Sequence, residues 1–281
     1  MQATFVTTSA QVQMPLLIYG TAWKKDRTAD LVEKAVQCGF RGIDTACQPK
    51  HYSEAGVGQA LSRLAQQGIQ RETLFLQSKF TPIGGQDPLR VTYDPKAPLA
   101  TQVVQSFASS QQNLGTDYLD SLVLHSPLAD PEQLLSVWRA MEGIHQRGGA
   151  RQLGISNCYE LGTLSRLYER AEVKPSVLQN RFYSDTGYDR NLRVWCQERK
   201  LIYQSFWTLT ANPELLASRS VRELAEHFDK TEAQIFYRFL TQIGIVPLIG
   251  TSSEQHMQED LAIFSFELTS EQLQKLQRLL V

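Results

Sequence analysis

LFLQSK at residues 74–79 and SLVLH at residues 121–125 are two short apolar runs that each end in a charged or titratable residue. Runs of this length predict buried strands, and segments with the apolar period of a helix lie between them. The same alternation continues outward along the chain in both directions. The further predicted strands are LLIYG (16–20), RGID (41–44), ARQLGIS (150–156), SVLQN (176–180), LIYQSF (201–206) and IVPLIG (245–250).

Helical periodicity separates the eight predicted strands. The predicted helices cover residues 28–38, 54–65, 99–114, 130–145, 159–171, 189–199, 231–242 and 253–262. Eight strand–helix units in 281 residues favour closure into a barrel over an open doubly wound sheet, whose usual GxGxxG fingerprint is missing after the first strand. We therefore predict an α/β fold, a (β/α)8 TIM barrel, as a single domain over residues 1–281.

Composition narrows the range of partners. The chain has 42% hydrophobic and 20% charged residues, and its net charge of -1 argues against nucleic acid, which requires clustered Lys and Arg. No apolar run reaches the roughly 20 residues that span a bilayer, the start of the chain does not resemble a signal peptide, and the cysteines form no CxxC pair. We expect a cytoplasmic monomer with reduced thiols that acts on a small molecule, without a nucleic-acid partner, a membrane or a metal.

Ionisable residues follow three successive strands of the predicted barrel. Asp44, Lys79 and His125 end these strands, and Tyr52 lies in the loop after Asp44. Barrel active sites lie at the carboxyl ends of the strands, about 4.8 Å apart, so these side chains can meet. Each also has a structural alternative: an Asp44–Lys79 ion pair, a hydrogen-bonded core histidine and a packed tyrosine.

Together these four groups suit carbonyl reduction. A tyrosine hydroxyl has a pKa near 10, and we expect Lys79 to lower the pKa of Tyr52 while Asp44 holds Lys79 charged. A neutral His125 would donate a hydrogen bond to the carbonyl oxygen and orient it. These roles combine an acid–base pair with an electrophile.

Several segments resemble the signature sequences of the aldo-keto reductases, in the same order, over about residues 19–260. These are GFRGIDTA (39–46), HYSEAGVGQAL (51–61), LQSKF (76–80), NLGTDYLDSLVLHSP (113–127) and GISN (154–157). The resemblance implies that the chain reduces aldehydes or ketones to alcohols with NADP(H). It also implies that Asp44, Tyr52, Lys79 and His125 are the catalytic residues.

The resemblance further implies a cofactor site and a substrate site. Ser156, Asn157 and Gln179 would hold the nicotinamide carboxamide, and Phe206 would replace a stacking tyrosine, since it still offers a π face. The other expected cofactor contacts are Gly20, Thr21, Ala22, Asp44, Trp207, Leu209, Gly250, Thr251, Ser252, His256, Glu259 and Asp260. The expected substrate contacts are Trp23, His51, Tyr52 and His125.

Two departures from the family pattern bear on these roles. The segment CQPKHYSE (47–54) is two residues longer than usual, and counting back from Glu54 puts His51 in the register of the tyrosine. We assign the acid to Tyr52, because only a phenol has the expected partner chemistry with Lys79. The usual lysine after the eighth strand is absent, so NAD(H) remains possible and the preference for NADP(H) should be less sharp.

The same residues allow two other functions. The chain could instead be a regulatory or redox-sensing barrel that binds NADP(H), or a barrel hydrolase that holds a metal through Asp44, His51 and His125.

The segment 81–99 is long and rich in Gly, Pro and Asp, which is typical of a lid or binding loop. A final amphipathic helix is expected to open at Thr269, with Glu271 as its capping partner.

Overall fold

The structure is a computed structural model that describes residues 4–280. The strands, in chain order, are β1 (Phe5–Thr7), β2 (Gln13–Pro15), β3 (Ile18–Gly20), β4 (Gly42–Asp44), β5 (Phe75–Phe80), β6 (Ser121–Leu124), β7 (Leu153–Ser156), β8 (Val177–Arg181), β9 (Ile202–Phe206) and β10 (Ile245–Ile249). The helices are α1 (Thr28–Cys38), α2 (Glu54–Gln66), α3 (Leu99–Leu114), α4 (Pro131–Gln146), α5 (Leu161–Arg170), α6 (Arg190–Glu198), α7 (Pro213–Leu216), α8 (Arg219–Phe228), α9 (Glu232–Gln242), α10 (Glu254–Leu261) and α11 (Ser270–Gln277).

Strands β3 to β10 form a closed parallel barrel, in which β10 pairs with both β9 and β3. The predicted (β/α)8 fold is therefore confirmed, and each of the eight predicted strands overlaps an observed one. The register aligns Gly20 with Asp44, Asp44 with Gln77 and Gln179 with Gln204. Residues at the carboxyl ends of the strands thus share one rim, which we call the mouth.

An antiparallel hairpin of β1 and β2, which the sequence did not indicate, covers the opposite end of the barrel. Val12 and Met14 pack there against Ile18, Phe75 and Val177 in a small apolar cluster separate from the main core. A cavity of about 600 Å³ lies between this hairpin and the amino ends of β5 to β7. It is lined in part by Phe5, Gln13 and Arg151, so it lies at the far end from the mouth.

Helix positions follow from local signals in the sequence. The Ser53 hydroxyl accepts a hydrogen bond from Gly56 N, which caps the start of α2 and fixes where the preceding loop ends. Gly58 lets α2 approach α3 closely, because a Cβ at this position would collide with the carbonyl oxygen of Asn113. At α11, Thr269 is the N-cap as expected, but Gln272, not Glu271, completes the capping box, because it occupies the third helical position.

Several hydrogen bonds hold the long segment after β5, and two of them mark the ends of an exposed turn. Gln86 Nε2 donates to Cys47 O at 2.9 Å, and Tyr93 OH donates to Thr81 O at 2.9 Å. Leu89, between these anchors, is 92% exposed. Thr92 also contacts Cys47 Sγ at 3.2 Å and accepts from Ser109 Oγ at 2.9 Å, so the exposed residues of the turn between Gln86 and Tyr93 are 88–90.

The cysteines are all unpaired thiols, and three of the four are buried. Within residues 4–280, no helix combines the length and apolar character needed to cross a membrane.

Candidate active site

Asp44 and Lys79 form an ion pair inside the barrel, just below the mouth. Lys79 Nζ donates to Asp44 Oδ1 at 2.7 Å, to Asp44 Oδ2 at 2.6 Å and to Thr45 O at 2.8 Å, and it is 1% exposed. An ammonium group has three protons, so all of them have partners. Burial lowers the pKa of Lys79, while Asp44 and Glu54 counteract this effect. The expected pairing of these two residues is thus present.

A layer of glutamine side chains supports Asp44 from within the barrel. Gln77 Nε2 lies 2.8 Å from Asp44 Oδ1, and Gln179 Nε2 lies 3.2 Å from the same oxygen. Both amides also donate to Gln204 Oε1 at 2.8 Å. Since hydrogen bonds to a charged acceptor are stronger than neutral ones, this layer fixes the Asp44 side chain beside Lys79.

Tyr52, and not His51, faces the Lys79 ion pair. Lys79 Nζ lies 5.1 Å from the centre of the Tyr52 ring, and the His125 ring meets the Tyr52 ring edge-on at 5.9 Å between centroids. A turn in which Gln48 O accepts from the backbone N–H groups of His51 and Tyr52 accommodates the longer segment. The structure therefore brings Tyr52 beside Lys79, although counting back from Glu54 had put His51 in the tyrosine register.

His51 lies instead at the rim, against Trp23. Their ring centroids are 3.9 Å apart, and Trp23 N donates to His51 O at 2.7 Å. Trp23 is 58% exposed, and its backbone φ of 64° is in the left-handed region. These two predicted substrate contacts thus form an aromatic pair at the mouth.

The Tyr52 pKa departs from expectation. Burial raises it above its usual range, and the charge of Asp44 raises it further. The expectation of a lowered pKa is wrong for this structure, because burial of the phenol is the larger effect and the Asp44 charge acts in the same direction. The phenol is accordingly held in its protonated form.

His125 follows β6 and is held by the start of the long loop. Its Nδ1 lies 2.7 Å from Thr81 Oγ1, and its backbone N–H donates to Phe80 O at 2.9 Å. Burial lowers the pKa of His125 well below its usual value, and the charges of Lys79 and His51 lower it further. Both effects favour the neutral imidazole over the charged form.

The three residues expected to hold a carboxamide are adjacent: Ser156 ends β7, Asn157 follows it, and Gln179 lies on β8. Ser156 Oγ donates to Gln179 O at 2.7 Å, and Asn157 Nδ2 donates to His125 O at 2.8 Å. Asn157 has a φ of 53°, in the left-handed region that Asn tolerates better than most residues. Gln179 faces inward to Asp44, so the group connects the ion pair with the neighbouring strands.

Expected cofactor residues on the other side of the mouth differ in exposure. Thr21 is buried, and both its backbone N–H and its hydroxyl donate to Asp44 O, at 3.0 and 2.9 Å. Gly20 and Ala22, which flank it, are half-buried. Phe206 and Leu209 are also half-buried, whereas Trp207 is 51% exposed with a φ of 55°.

The loop after β10 presents hydroxyls and backbone groups around α10. Gly250, Ser252 and His256 are exposed, and Thr251 is half-buried with its hydroxyl 3.5 Å from His256 Nδ1. Lys24 Nζ, from the loop after β3, donates to Gly250 O. The loop after β10 lacks the lysine that is usual in the family. Lys24, from near the start of the chain, brings a positive charge to the same loop.

Glu259 and Asp260 have different surroundings within α10. Glu259 is half-buried and accepts from Gln255 Nε2 at 2.7 Å, whereas Asp260 is buried. Burial, with a smaller effect of the Glu259 charge, raises the pKa of Asp260 to about 7. Asp260 is therefore largely shielded from solvent in this structure, whereas Glu259 is only half-buried.

The metal-site alternative has no support in the geometry. Asp44 is bound to Lys79, and His51 stacks on Trp23. Among residues 4–280, no group of three or more His, Cys, Asp and Glu side chains is arranged to hold a metal ion.

Comparison with known proteins places the chain in a family. The sequence model described as the Aldo/keto reductase family matches residues 16–202 and 196–281, so the chain belongs to that family. The NADPH-dependent alpha-keto amide reductase of Saccharomyces cerevisiae is 29% identical over 282 residues, covering 92% of this chain and 84% of that protein. The glyoxal reductase of Bacillus subtilis is 29% identical over 254 residues, covering 90% of this chain and 84% of that protein.

A solved structure supports the same fold. The aldo/keto reductase from Brucella melitensis superposes with a TM-score of 0.84 over 99% of this chain and 100% of that chain, at 24% sequence identity.

Sequence reasoning missed four residues that the structure brings to the site or its rim. Gln77 and Gln204 support Asp44, Lys24 reaches the loop after β10, and Arg181 lies against Trp207.

Proposed function

We propose that this chain is an NADP(H)-dependent reductase of aldehydes or ketones, with Tyr52 as the general acid. The observation that carries the proposal is the position of Tyr52 between the Lys79–Asp44 ion pair and the neutral ring of His125. A phenol, a buried cation and a neutral imidazole around one opening suit a reaction in which a carbonyl oxygen gains negative charge and then a proton.

The residues at the mouth fit a nicotinamide cofactor. Phe206 offers a ring face, Gln179 and Asn157 offer amides, and Lys24 offers a positive charge beside the Gly250 loop. Lys24 has a carbonyl rather than a carboxylate as its partner, so its charge is available to a phosphate. When bound, the cofactor supplies the hydride. The yeast relative named for NADPH supports the choice of cofactor.

The protein's own groups would orient the carbonyl and move one proton. If Thr81 donates to His125 Nδ1, then Nε2 carries the remaining proton and can donate to the carbonyl oxygen. Tyr52 then gives its hydroxyl proton to that oxygen, and Lys79 and Asp44 lie next to the phenolate that results. Exposed Trp23 and Trp207 would form apolar walls for small or aromatic substrates.

Replacing Tyr52 by Phe tests the proposal. General acid catalysis contributes roughly 10²–10⁴-fold, so we expect Tyr52→Phe to lower kcat by about that factor while the affinity for NADPH is unchanged. His51→Phe is the matched control, and we expect it to lose less than about tenfold, because His51 contacts Trp23 and not Lys79. Wild-type turnover in Tyr52→Phe, with loss in His51→Phe, would move the acid to His51. Absence of turnover in the wild-type protein with a panel of carbonyl compounds would favour the regulatory barrel.

A further inference from the structure

Arg181 lies at the carboxyl end of β8, on the inner face of the mouth. Alternate residues of a strand face the same side, and Gln179, two residues earlier, reaches Asp44 inside the barrel. The register pairs Arg181 with Phe206 on β9, the residue expected to stack on the nicotinamide. Arg181 is therefore one layer above the amides and beside the expected cofactor ring.

The Arg181 guanidinium has unused hydrogen-bond donors. Its Nε is shielded from solvent and has no hydrogen-bond partner, and in the described part of the chain the side chain makes no ion pair. A shielded donor without a partner costs about 1–3 kcal/mol. A guanidinium has five N–H donors in all and cannot be deprotonated in proteins, so an anion is the ligand that suits it.

Two aromatic rings hold this guanidinium in place. Its central carbon lies 4.1 Å from the Trp207 ring centre and 5.2 Å from the Tyr183 ring centre. Ring stacking uses the faces of the guanidinium plane and leaves the outer edge, formed by the two Nη groups, for a bidentate contact. Arg181 is thus oriented before any ligand arrives.

Trp207 is itself held in an unfavourable backbone conformation. Its φ of 55° is in the left-handed region, which costs a residue with a side chain about 1–2 kcal/mol. The following loop is fixed by Asn212 Nδ2, which donates to Thr208 O at 2.9 Å and also to Phe182 O. Strain of this kind persists where surrounding contacts impose it, and it is concentrated at functional sites.

Hydrogen bonds connect Arg181 to the predicted catalytic centre. Arg181 N donates to Tyr159 OH at 3.1 Å, and Tyr159 OH donates to Asn157 Oδ1 at 3.4 Å. Asn157 in turn donates to His125 O. Arg181 and His125 end strands two places apart, about 10 Å between backbones. A ligand of the size of a substituted benzaldehyde can span such a gap between their side chains.

We propose that Arg181 binds the carboxylate of an oxo-acid substrate while its carbonyl lies at Tyr52 and His125. This rests on the proposed function and adds a substrate class to it. The same chemistry would recognise a phosphate, so the diphosphate of the cofactor is the competing source of the anion. The two sources of the anion make different predictions. The loss of a substrate subsite would weaken only substrates that carry a negative charge.

The test compares 4-formylbenzoate with its methyl ester, which keeps the same frame without the charge. For Arg181→Met we expect kcat/KM for the acid to fall about 10- to 100-fold, mainly through KM, and kcat/KM for the ester to change less than about threefold. Arg222→Met, which removes the same charge from an exposed position on α8, should change neither. Arg181→Lys keeps the charge without the planar fork and should lie between, and it replaces Arg181→Met if that variant does not fold.

A binding measurement separates the subsite from turnover. The alcohol 4-(hydroxymethyl)benzoate should quench tryptophan fluorescence in the wild-type protein with NADP+ present, and it should bind at least tenfold more weakly to Arg181→Met. NADPH affinity should be the same in both proteins. Equal losses for the acid and the ester, or weaker NADPH binding, would overturn the substrate subsite and assign the anion to the cofactor. If the wild-type protein reduces neither compound, the proposed function fails, while the binding result still decides the subsite.

Discussion

Lys79 Nζ donates to both carboxylate oxygens of Asp44, at 2.7 and 2.6 Å, and both side chains are almost completely buried. In this environment the two charges depend on each other. The layer of glutamine amides contacts this pair from beneath through Asp44, and the Tyr52 ring lies above Lys79. The effect of substitutions at this pair can therefore be measured separately on the free energy of unfolding and on activity.

We expect Asp44→Asn and Lys79→Met each to lower the free energy of unfolding by about 3–5 kcal/mol, since each leaves one buried charge without its partner. The double variant should lose much less than the sum of the two. All three variants should lack carbonyl reductase activity. Urea unfolding of the four proteins gives the coupling energy, and simple additivity would show that the pair is not energetically linked.

His125 should make stability depend on pH below neutrality. Burial keeps the folded imidazole neutral, whereas in the unfolded chain the group takes up a proton as the pH falls through about 6.5. The unfolded state then binds more protons, so the free energy of unfolding should fall between pH 6.5 and 5, by at most about 2 kcal/mol. His125→Gln should remove that part of the slope in urea unfolding at pH 5 and pH 8. His227→Gln, at an exposed histidine, is the control, and an equal effect of both would contradict the assignment.

Asp260 should have the opposite dependence on pH. Its folded pKa of about 7 lies above the ordinary value, so the folded state binds the extra proton and stability is lost as the pH rises toward 7. Asp260→Asn should raise the free energy of unfolding at pH 8 by about 2–4 kcal/mol, and by much less at pH 4. Glu259→Gln should give a smaller gain, because it removes only a neighbouring charge. A gain from Asp260→Asn that is equal at pH 4 and pH 8 would exclude the buried carboxylate as its cause.

Lys24 should contribute to cofactor affinity through its charge beside the Gly250 loop. We expect Lys24→Met to weaken NADPH binding about tenfold, the effect of one hydrogen bond to a charged group. If Lys24 contacts the additional phosphate of NADPH, NADH binding should stay the same, and fluorescence titration measures both. Lys25→Met, at an exposed neighbour, should leave both affinities unchanged. Unaltered NADPH affinity in Lys24→Met would leave the loop hydroxyls and His256 to bind the phosphate.

The barrel and its rim could be predicted from the sequence because strand ends carry the information. A closed parallel sheet brings every carboxyl end to one side. Asp44, Lys79 and His125 could therefore be placed at the mouth because each ends an apolar run. The position of Tyr52 was harder to predict, since it depends on a turn closed at Gln48 and not on any periodic pattern. Counting back from Glu54 favoured His51 by register, and only the chemistry of a phenol beside Lys79 favoured Tyr52.

Other features depend on contacts between distant parts of the chain. Gln77 and Gln204 are 127 residues apart, and nothing local in either strand indicates that their amides meet under Asp44. Lys24 and Gly250 are 226 residues apart for the same reason. The direction of the Tyr52 pKa could not be predicted either, because it depends mainly on how deeply the folded protein buries the phenol.

The hairpin at the far end of the barrel determines how the protein can be attached to a surface. Its turn includes the exposed residue Gln11, and it lies at the amino ends of the strands, opposite Trp23 and Trp207. A bead or electrode joined at Gln11 would hold every molecule with its open end toward the bulk solution. A tether at the exposed Lys25, near the rim, would turn that end toward the support and restrict diffusion into it.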